Sequence, residues 1–251
     1  MKVSIITATY NSAATVSDTL LSVEKQTYLQ HIEHIIVDGL SKDNTLNIIP
    51  HFNHVAKVVS EKDKGIYDAM NKGIALANGD IIGILNSDDF YAHENVIEEV
   101  VKLFNETNCD AVYGDLIFVH PNNPNKVLRK WIAGNFNANM FLKGWMPPHP
   151  TFFVRKEVYE KYGKFNLTLK SSADYELLLR FLYKHKIKVE YLRDVIVKMR
   201  SGGQSTKSIA NRIRAHKEDY MAWKINNLKP KWFTLLFKPA RKIKQFLYPR
   251  I

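Results

Sequence analysis

The stretch EKDKGIYDAMNKGIALANGDIIGILNSDD, residues 61–89, contains a helix pattern followed directly by a strand pattern. Apolar side chains recur at the spacing of one helix face, at Ile66, Met70, Ile74 and Ala77. The apolar run 81–85 comes next and is typical of a buried strand. That run leads to two adjacent carboxylates, Asp88 and Asp89. The succession predicts a helix that crosses over to a strand whose carboxyl end is strongly acidic.

Two adjacent carboxylates at the end of a buried strand need a partner. Like charges repel, and burying either one unpaired is costly, so we expect a cationic group nearby. Mg²⁺ and Mn²⁺ prefer oxygen ligands and often bind through one or two carboxylates together with substrate phosphates. The alternative is that Asn86, Ser87 and the two aspartates cap a helix that begins near Asn95, or form an Asx turn.

Strand and helix patterns alternate on the N-terminal side of this stretch. Five segments have strand character: 3–7, 32–37, 55–60, 81–85 and 111–119. Helical spacing lies between them, notably over 12–26 and 65–77. Alternation of this kind predicts an α/β fold with a doubly wound, mainly parallel sheet. Ligands of such sheets bind beyond the carboxyl ends of the strands, where Asp38 and the acidic pair stand.

The pattern loosens after residue 120. We expect a turn over 120–125, a proline-rich loop over 144–150, a helix over 173–185, short strands over 187–192 and 195–200, a glycine loop over 201–206 and a polar helix over 207–225. The predicted domain is 1–206, with a first half, 1–119, and a second half, 120–206. Residues 207–251 are predicted to be a helical, basic extension.

Composition limits the class of protein. A single cysteine, Cys109, excludes an intramolecular disulfide and fits a reducing compartment. Residues 1–9 read as a strand rather than a signal peptide, and no apolar run approaches the roughly 20 residues of a membrane span. We therefore expect a cytoplasmic protein, soluble or peripheral.

The charge is concentrated at the C-terminus. The chain carries a formal net charge of +11, and residues 201–251 hold twelve basic and two acidic residues, which leaves +1 for the first 200 residues. This argues against a nucleic-acid groove and for a local anionic partner. Within 229–251, apolar side chains beside cations predict an interfacial helix interrupted at Pro239, on the cytoplasmic face of the inner membrane. Packing of the same apolar stripe on the protein body or on a second subunit is the alternative.

Four motifs occur in order: TATYNS (7–12), IIVDGLSKDNT (35–45), the stretch 61–89 and SSADYELLLRF (171–181). Together they resemble family 2 glycosyltransferases with the GT-A fold, over roughly residues 1–200. The stretch 61–89 is similar to bacterial surface-polysaccharide enzymes of the colanic-acid type. The resemblance implies inverting, metal-dependent transfer of a sugar from a nucleoside diphosphate donor to a hydroxyl of a glycan or lipid-linked glycan, with Mg²⁺ or Mn²⁺.

The resemblance also implies that 1–119 is the nucleotide-sugar-binding half of the domain and 120–206 the acceptor-side half, and it implies which residues bind the donor. They are Thr7, Thr9, Tyr10 and Asn11 around the base, Asp38 as its acceptor, Asp63 and Lys64 near the phosphates, Asp88 near the ribose or sugar, and Asp89 as the metal ligand. Tyr10 offers a stacking face that suits a planar heterocycle. On residues alone, Asp63 and Lys64 could equally be a solvated charge cluster. Two positions depart from the family pattern, Gly39 and Ser87, where relatives often carry acids.

Asp174 matches the family's catalytic base, which takes the proton of the acceptor hydroxyl. Its alternative role is to stabilise the first turn of its helix. Ala173 stands where many relatives have a second acid. Trp145 and His149 are candidate acceptor residues: Trp145 as a platform on which a sugar stacks, and His149 as a contact for the acceptor or the diphosphate. Either could instead be structural. On the predicted helix 65–77, Asp68 and Asn71 are expected to support the acidic loop.

Two other classes of function compete with this interpretation. A sugar nucleotidyltransferase shares the doubly wound sheet but requires a glycine-rich, basic loop after strand one, which TATYNS is not. An inactive nucleotide-sugar-binding or membrane scaffold protein would retain the motifs without turnover. P-loop, zinc-protease and hydrolase motifs are absent from the sequence. The sequence does not predict the donor sugar, the base, the acceptor or the oligomeric state.

Overall fold

The computed structural model describes residues 1–202 and 209–244. The strands are β1 Val3–Thr9, β2 Ile32–Asp38, β3 Val55–Ser60, β4 Ile81–Ile84, β5 Asp89–Tyr91, β6 Ala111–His120, β7 Asn123–Trp131, β8 Phe153–Arg155 and β9 Val189–Arg200. The helices are α1 Val16–Glu24, α2 Thr45–Ile48, α3 Ile66–Leu76, α4 Val96–Thr107, α5 Asn139–Leu142, α6 Lys156–Tyr162, α7 Ala173–Leu178, α8 Ile209–Ile225 and α9 Thr234–Lys244.

The strands form one mixed sheet in the order β3-β2-β1-β4-β8-β6-β9-β5, with β7 paired to β6. The first four strands are parallel, and β6 is parallel to β9. The pairings β4·β8, β6·β8, β6·β7 and β5·β9 are antiparallel. The predicted α/β class is confirmed, and the parallel half brings the carboxyl ends of β1, β2 and β4 to one edge of the sheet.

The buried strands owe their position to β-branched side chains covered by crossover helices. Every residue of β1 and β4 is buried. Helix α3 approaches β1 closely at Gly73, where an added Cβ would lie 2.3 Å from Ile6 Cγ2. Only glycine allows this approach, which fixes α3, and with it Tyr67 and Asn71, against the sheet.

The second half of the predicted domain, residues 120–206, differs in detail from the sequence prediction. The predicted strands 187–192 and 195–200 are one strand, β9, which pairs along the whole of β6. The predicted helix over 173–185 is α7 followed by a π-helical segment, Leu179–Lys184. The proline-rich loop 144–150 contains a 3₁₀ turn that begins at His149, as its prolines allow.

Helices α8 and α9 pack on the body of the protein. Trp223 of α8 is fully buried and its Nε1 donates to the Tyr175 hydroxyl at 2.9 Å. Helix α9 runs through Pro239, so the predicted break is wrong. Proline removes one helical hydrogen bond, but contacts of two residues that precede it hold α9 in place. Thr234 Oγ1 donates to the Leu142 carbonyl at 2.7 Å, and Lys238 Nζ donates to Asp219 Oδ1 at 2.6 Å.

The domain boundary at 206/207 remains a prediction, although α8 contributes Ala222 and Trp223 to the main apolar core. Most of the glycine loop, residues 203–206, and the end of the tail, residues 245–251, lie outside the described residues. Among the helices that the structure describes, none has the length and apolar character that a membrane crossing requires.

Candidate active site

The acidic loop leaves the centre of the sheet at the end of β4. The Asp89 amide donates to the Asn86 carbonyl at 3.0 Å, which closes a tight turn. Asn86 Nδ2 donates to Asp89 Oδ2 at 2.8 Å, and Thr19 Oγ1 of α1 donates to the Asp89 carbonyl at 2.7 Å. The carboxylate of Asp89 is consequently fully buried at the first residue of β5.

Two buried oxygens of this turn have no hydrogen-bond donor within the described chain. They are Asp89 Oδ1 and Asn86 Oδ1. Burial, and after it the charge of Asp88, raises the pKa of Asp89 well above its usual value. Unsatisfied carboxylate and amide oxygens are the ligands that a hard divalent cation prefers. The residues therefore fit the Mg²⁺ or Mn²⁺ that the sequence predicts.

Arg200, at the end of β9, is a cation beside the acidic loop that the sequence analysis did not identify. The guanidinium is buried; Nη1 donates to the Asp88 carbonyl at 2.9 Å, and Nη2 forms an ion pair with Asp18 of α1. Its charge favours the ionised form of Asp89, opposing the effects of burial and of Asp88. Arg200 thus ties β9 to the acidic loop and partly compensates its charge.

The loop after β1 joins the acidic loop through serines. Ser12 Oγ and Ser87 Oγ lie 2.8 Å apart. Asn11, at φ +50°, accepts from the Lys42 amide through Oδ1 at 2.8 Å, while its own amide donates to Ser41 Oγ at 2.8 Å. Tyr10 remains 57% exposed at the tip of this loop. The loop is therefore held rigidly with its aromatic face open to a ligand.

Asp38 is buried at the end of β2, and all of its acceptor capacity is used within the chain. Oδ1 accepts from the Thr9 and Ser41 hydroxyls, and Oδ2 accepts from the Ser41 amide and the Ser60 hydroxyl. Burial raises the pKa of Asp38, but these hydrogen bonds outweigh it and hold the pKa below its usual value. Asp38 thus organises the loops rather than presenting a lone pair to a base, which differs from the expectation.

Thr7 also differs from the expectation. It is fully buried in β1, and its Oγ1 lies 3.0 Å from His34 Nε2. Thr7 and Thr9 lie on the same face of the strand, because side chains alternate with a period of two. Thr7 lies two residues further than Thr9 from the carboxyl end of β1. Thr7 therefore contacts the core, while Thr9 reaches Asp38.

Asp63 lies beside Tyr10 and Gly39. A Cβ built on Gly39 would lie 2.4 Å from Asp63 Oδ2 and 3.4 Å from Tyr10 Cδ2. Asp63 Oδ1 accepts from the Gly65 amide at 2.8 Å, at the start of α3. The carboxylate of Asp63 therefore fills the space that a side chain at position 39 would need. Lys64 is exposed at the same helix end.

Asp174, in the first turn of α7, faces α3. The Tyr67 hydroxyl donates to Asp174 Oδ1 at 3.1 Å. Burial, followed by the charge of Asp174, raises the pKa of Tyr67 well above its usual value, so Tyr67 stays a donor. Tyr67 was missed in the sequence, although it lies one turn before Asn71 in the same motif.

An aromatic cluster surrounds this pair. The Phe165 ring stacks on Tyr67 at 5.4 Å between centroids and meets His149 edge-on at 5.4 Å. Asn71 holds Phe165 in place, donating to its carbonyl and accepting from its amide, both at 2.9 Å. The expected support of the acidic loop by Asn71 is wrong, because its amide is used here. Burial lowers the pKa of His149, although the charge of Asp174 opposes this, so the imidazole is neutral.

Asp68 is also occupied away from the acidic loop, since its Oδ2 accepts from the Lys64 amide at 3.0 Å and lies 3.8 Å from Lys72 Nζ.

Trp145 is a core residue rather than an exposed sugar platform. It is 3% exposed, and its Nε1 donates to the Ala133 carbonyl at 2.9 Å. Its expected role as a stacking surface for the acceptor is therefore wrong.

The family model of glycosyl transferase family 2 matches residues 4–163. A PGL/p-HBAD biosynthesis glycosyltransferase of Mycobacterium bovis is 28% identical over 214 residues, covering 83% of this chain and 80% of that protein. An uncharacterized glycosyltransferase of Mycobacterium tuberculosis is 31% identical over 197 residues, with 71% and 68% covered. These relatives do not specifically support the colanic-acid type, which stays a prediction.

Solved structures share the fold. TarS 1–349 of Staphylococcus aureus in complex with UDP-GlcNAc has a TM-score of 0.70 at 17% identity, covering 99% of this chain and 72% of that one. The mannosyltransferase PcManGT of Pyrobaculum calidifontis in complex with GDP-Man and Mn²⁺ has a TM-score of 0.66 at 18% identity, covering 96% and 69%. The chain spans 44% of a longer TarS structure. The family model matches more than half of the sequence, and the protein is a member of glycosyltransferase family 2.

Proposed function

We propose that this glycosyltransferase is an inverting, metal-dependent enzyme that moves a sugar from a nucleoside diphosphate sugar to a hydroxyl of a glycan or lipid-linked glycan. The observation that carries the proposal is Asp89 Oδ1, a buried carboxylate oxygen at the start of β5 to which no group of the described residues donates. A buried anion in this state needs a cation, and nucleoside diphosphates bring divalent cations with them. The named complexes of TarS with UDP-GlcNAc and of PcManGT with GDP-Man and Mn²⁺ support the donor class.

The donor would bind across the carboxyl ends of β1, β2 and β4. Tyr10 stacks on the base, and Asp63 beside it accepts from the base or ribose. Lys64 and the exposed start of α3 face the phosphates. Asp89, with Asn86 Oδ1 beside it, would hold a divalent cation, and such a cation would supply positive charge opposite the leaving diphosphate.

The transfer itself is a displacement at the anomeric carbon. Asp174 takes the proton of the acceptor hydroxyl while that oxygen forms the new glycosidic bond. The bond from the anomeric carbon to the diphosphate oxygen breaks, and its electron pair leaves with the nucleoside diphosphate. Tyr67 donates to Oδ1 of Asp174 and so leaves Oδ2 to face the hydroxyl. One displacement inverts the configuration at the anomeric carbon.

His149 closes the acceptor side of this pocket. Its neutral ring lies against Phe165, which also stacks on Tyr67. A neutral imidazole can hydrogen-bond a sugar hydroxyl without competing with Asp174 for the proton. We assign His149 to the binding of the acceptor.

The proposed setting is the assembly of a surface polysaccharide at the cytoplasmic face of the inner membrane. Trp232, Leu236 and Phe237 are exposed apolar side chains at α9, beside the exposed cations Lys229 and Lys231. This combination suits an anionic membrane surface, where a lipid-linked acceptor would be met.

A panel of UDP-, GDP- and dTDP-sugars, each with Mn²⁺ or Mg²⁺, tests the reaction class. We expect release of nucleoside diphosphate from one donor, stimulated by metal. Release of pyrophosphate from a nucleoside triphosphate and a sugar phosphate would instead identify a nucleotidyltransferase. Donor binding without turnover in the presence of any acceptor would favour an inactive binding protein. The coupling constant of the product's anomeric proton, measured by NMR, then distinguishes inversion from retention.

A further inference from the structure

Glu218, in α8, is a buried carboxylate with an unusual set of partners. It is 7% exposed, and no Lys, Arg or His of the described chain forms a salt bridge with it. Its Oε2 accepts from two backbone amides, those of Ser171 at 2.6 Å and Ser172 at 3.0 Å. Backbone N–H groups at a helix start carry partial positive charge and can stabilise a buried anion.

Those two amides lead directly into the helix that carries Asp174. Ser172 is the residue before α7, and its side chain makes no cap to its own helix. Its Oγ donates instead to the Ala215 carbonyl of α8 at 3.1 Å. The entry to α7 is therefore held by α8 through three hydrogen bonds, and Asp174 follows two residues later.

The same face of α8 continues along α7. Trp223 donates to the Tyr175 hydroxyl at 2.9 Å, and Asn226 Nδ2 donates to Glu176 Oε1 at 2.8 Å. Tyr175 and Glu176 are the residues directly after Asp174. The chain before Asp174 is thus attached to α8 through backbone amides, and the two residues after it are attached through their side chains to the end of α8. Tyr67 of α3 holds the carboxylate itself.

Asp174 has little local support of its own. Ala173, where relatives often have a second acid, is fully buried and offers only a methyl group. The charge of Glu218 contributes, after burial and the effects of Asp174, to the raised pKa of Tyr67. Glu218 therefore lies near the Tyr67–Asp174 pair, and its hydrogen bonds to the Ser171 and Ser172 amides connect it to that pair through the backbone.

We propose that Glu218 is the positioning residue for Asp174: by binding the Ser171 and Ser172 amides it fixes the orientation of the base, and α8 is part of the catalytic unit. This rests on the proposed function, in which Asp174 is the base. The family model ends at residue 163, so neither Asp174 nor α8 falls within the matched segment. The role is one of geometry, and it requires an acceptor oxygen at the right distance rather than a negative charge.

Three variants test this role. Glu218→Gln keeps an acceptor oxygen at the same distance, Glu218→Asp keeps the charge but withdraws the oxygen by one methylene, and Asp219→Asn removes a neighbouring buried charge that binds Lys238 of α9. For each we measure kcat and the donor KM from nucleoside diphosphate release, with the nucleotide sugar that the wild type turns over. Thermal unfolding and amide hydrogen exchange are measured on the same full-length proteins.

We expect Glu218→Asp to lower kcat by about 10- to 100-fold with the donor KM within about threefold, the pattern of a misplaced catalytic group. Exchange of the Ser171 and Ser172 amides should become faster. Glu218→Gln should recover most of kcat, and Asp219→Asn should stay near wild type. A folded Glu218→Asp protein with wild-type kcat would overturn the inference. An equal loss of kcat in Glu218→Asp and Asp219→Asn that follows only the fall in melting temperature would also overturn the inference.

Asp174→Asn separates this inference from the proposed function. If Asp174→Asn retains transfer, Asp174 is not the base, and both statements fall. If it abolishes transfer while Glu218→Asp leaves kcat intact, the proposed function stands and only the role of Glu218 is wrong.

Discussion

The Tyr67 hydroxyl lies 3.1 Å from Asp174 Oδ1 and joins α3 to α7 across 107 residues of sequence. Two parts of the proposed reaction meet in this contact. Helix α3 begins beside the donor loop at Asp63 and Lys64, and α7 carries the proposed base. A hydrogen bond between them makes the orientation of the base depend on the helix that borders the donor.

Replacing Tyr67 with phenylalanine tests this dependence. A hydrogen bond to a charged group is worth about 1.5–3 kcal/mol, so Tyr67→Phe should lower kcat by roughly 10- to 100-fold. The ring still stacks on Phe165, so the variant should fold, with a melting temperature lower by several degrees because the hydrogen bond is lost. Tyr28→Phe is the matched control, since that hydroxyl bonds the Met1 carbonyl at the opposite end of β1. Equal kcat in both variants would show that the Asp174 contact is not used in the reaction.

Asp89→Asn should have opposite effects on function and stability. An amide is a poorer ligand for a hard cation, so Mn²⁺ should no longer strengthen donor binding. Without metal, however, the variant should melt higher than wild type. Burial and Asp88 raise the pKa of Asp89, so ionising it at neutral pH costs folding free energy that a neutral amide avoids. Calorimetric titration with and without Mn²⁺, and thermal unfolding in a chelator, measure the two effects.

A second cluster can confuse the metal titration. Ligand atoms of His93, Glu99 and Asp194 all lie within 4.8 Å of one another. His93→Ala is therefore the control: it should remove any Mn²⁺ bound there without changing the metal dependence of donor binding. Donor binding that responds to Mn²⁺ in Asp89→Asn but not in His93→Ala would show that Asp89 is not the ligand.

Gly39→Ala should weaken donor binding through Asp63. Because the added Cβ would meet Asp63 Oδ2 at 2.4 Å, the carboxylate must move away from Tyr10. If Asp63 contacts the base or ribose, the donor dissociation constant should rise about tenfold, the usual size of one such hydrogen bond. In an Asp63→Ala background, Gly39→Ala should add little, because contacting residues are not additive. If the effects of the two substitutions on the donor dissociation constant were fully additive, Gly39→Ala would not act through Asp63, and the prediction would be wrong.

His34 should contribute to the pH dependence of stability between pH 7 and pH 5, together with His149, whose pKa burial also lowers. Burial, followed by the charge of His54, lowers the pKa of His34 to about 3 from a usual value of 6.5. Above pH 6.5 the imidazole is neutral in both states. As the pH falls below 6.5 the unfolded chain gains the proton first, so the folded state loses up to about 1.4 kcal/mol per pH unit. His34→Gln should flatten unfolding curves between pH 7 and pH 5, whereas the exposed His31→Gln should not. Parallel curves for wild type and His34→Gln would refute this.

Local patterns predicted the parallel half of the sheet well. The ends of β1 to β4 fall within two residues of the predicted strands, because period-two apolar runs and crossover helices are signals that short windows contain. The acidic pair, and the divalent cation that it is predicted to bind, follow from the same reasoning. The prediction that Thr7 lies around the base failed. The alternation of side chains shows which face of β1 a residue lies on, but it does not show how far that residue lies from the end of the strand.

The contacts that complete the site are non-local, and no window of sequence contains them. Arg200 meets Asp18 across 182 residues, and Glu218 meets Ser171 across 47. Trp145, which follows glycine in a proline-rich loop, was predicted to be an exposed platform for a sugar. The loop instead folds inward and buries Trp145. Helix α9 passes Pro239 because tertiary contacts at Thr234 and Lys238 outweigh one lost backbone hydrogen bond.

The exposed apolar residues of the tail lead to a prediction about membranes. Trp232 is 85% exposed and Leu236 58%, whereas Thr234 and Lys238 of the same segment hold it to the body. Substituting the exposed pair should therefore remove a membrane contact without unfolding α9. Full-length protein should float with vesicles of phosphatidylcholine and phosphatidylglycerol, and high salt should release part of it, because each cation near an anionic leaflet contributes about 1 kcal/mol.

The variant Trp232→Ser/Leu236→Ser should lose most flotation, because burying two large apolar side chains is worth roughly 1.5–3 kcal/mol each. Val58→Ser, which removes an exposed apolar side chain from the edge strand β3, is the control and should float like wild type. Nucleoside diphosphate release should persist in both variants, since neither touches the acidic loop or α7. Equal flotation of all three proteins would mean that α9 serves only to pack on the domain, through the contacts that Thr234 and Lys238 already make.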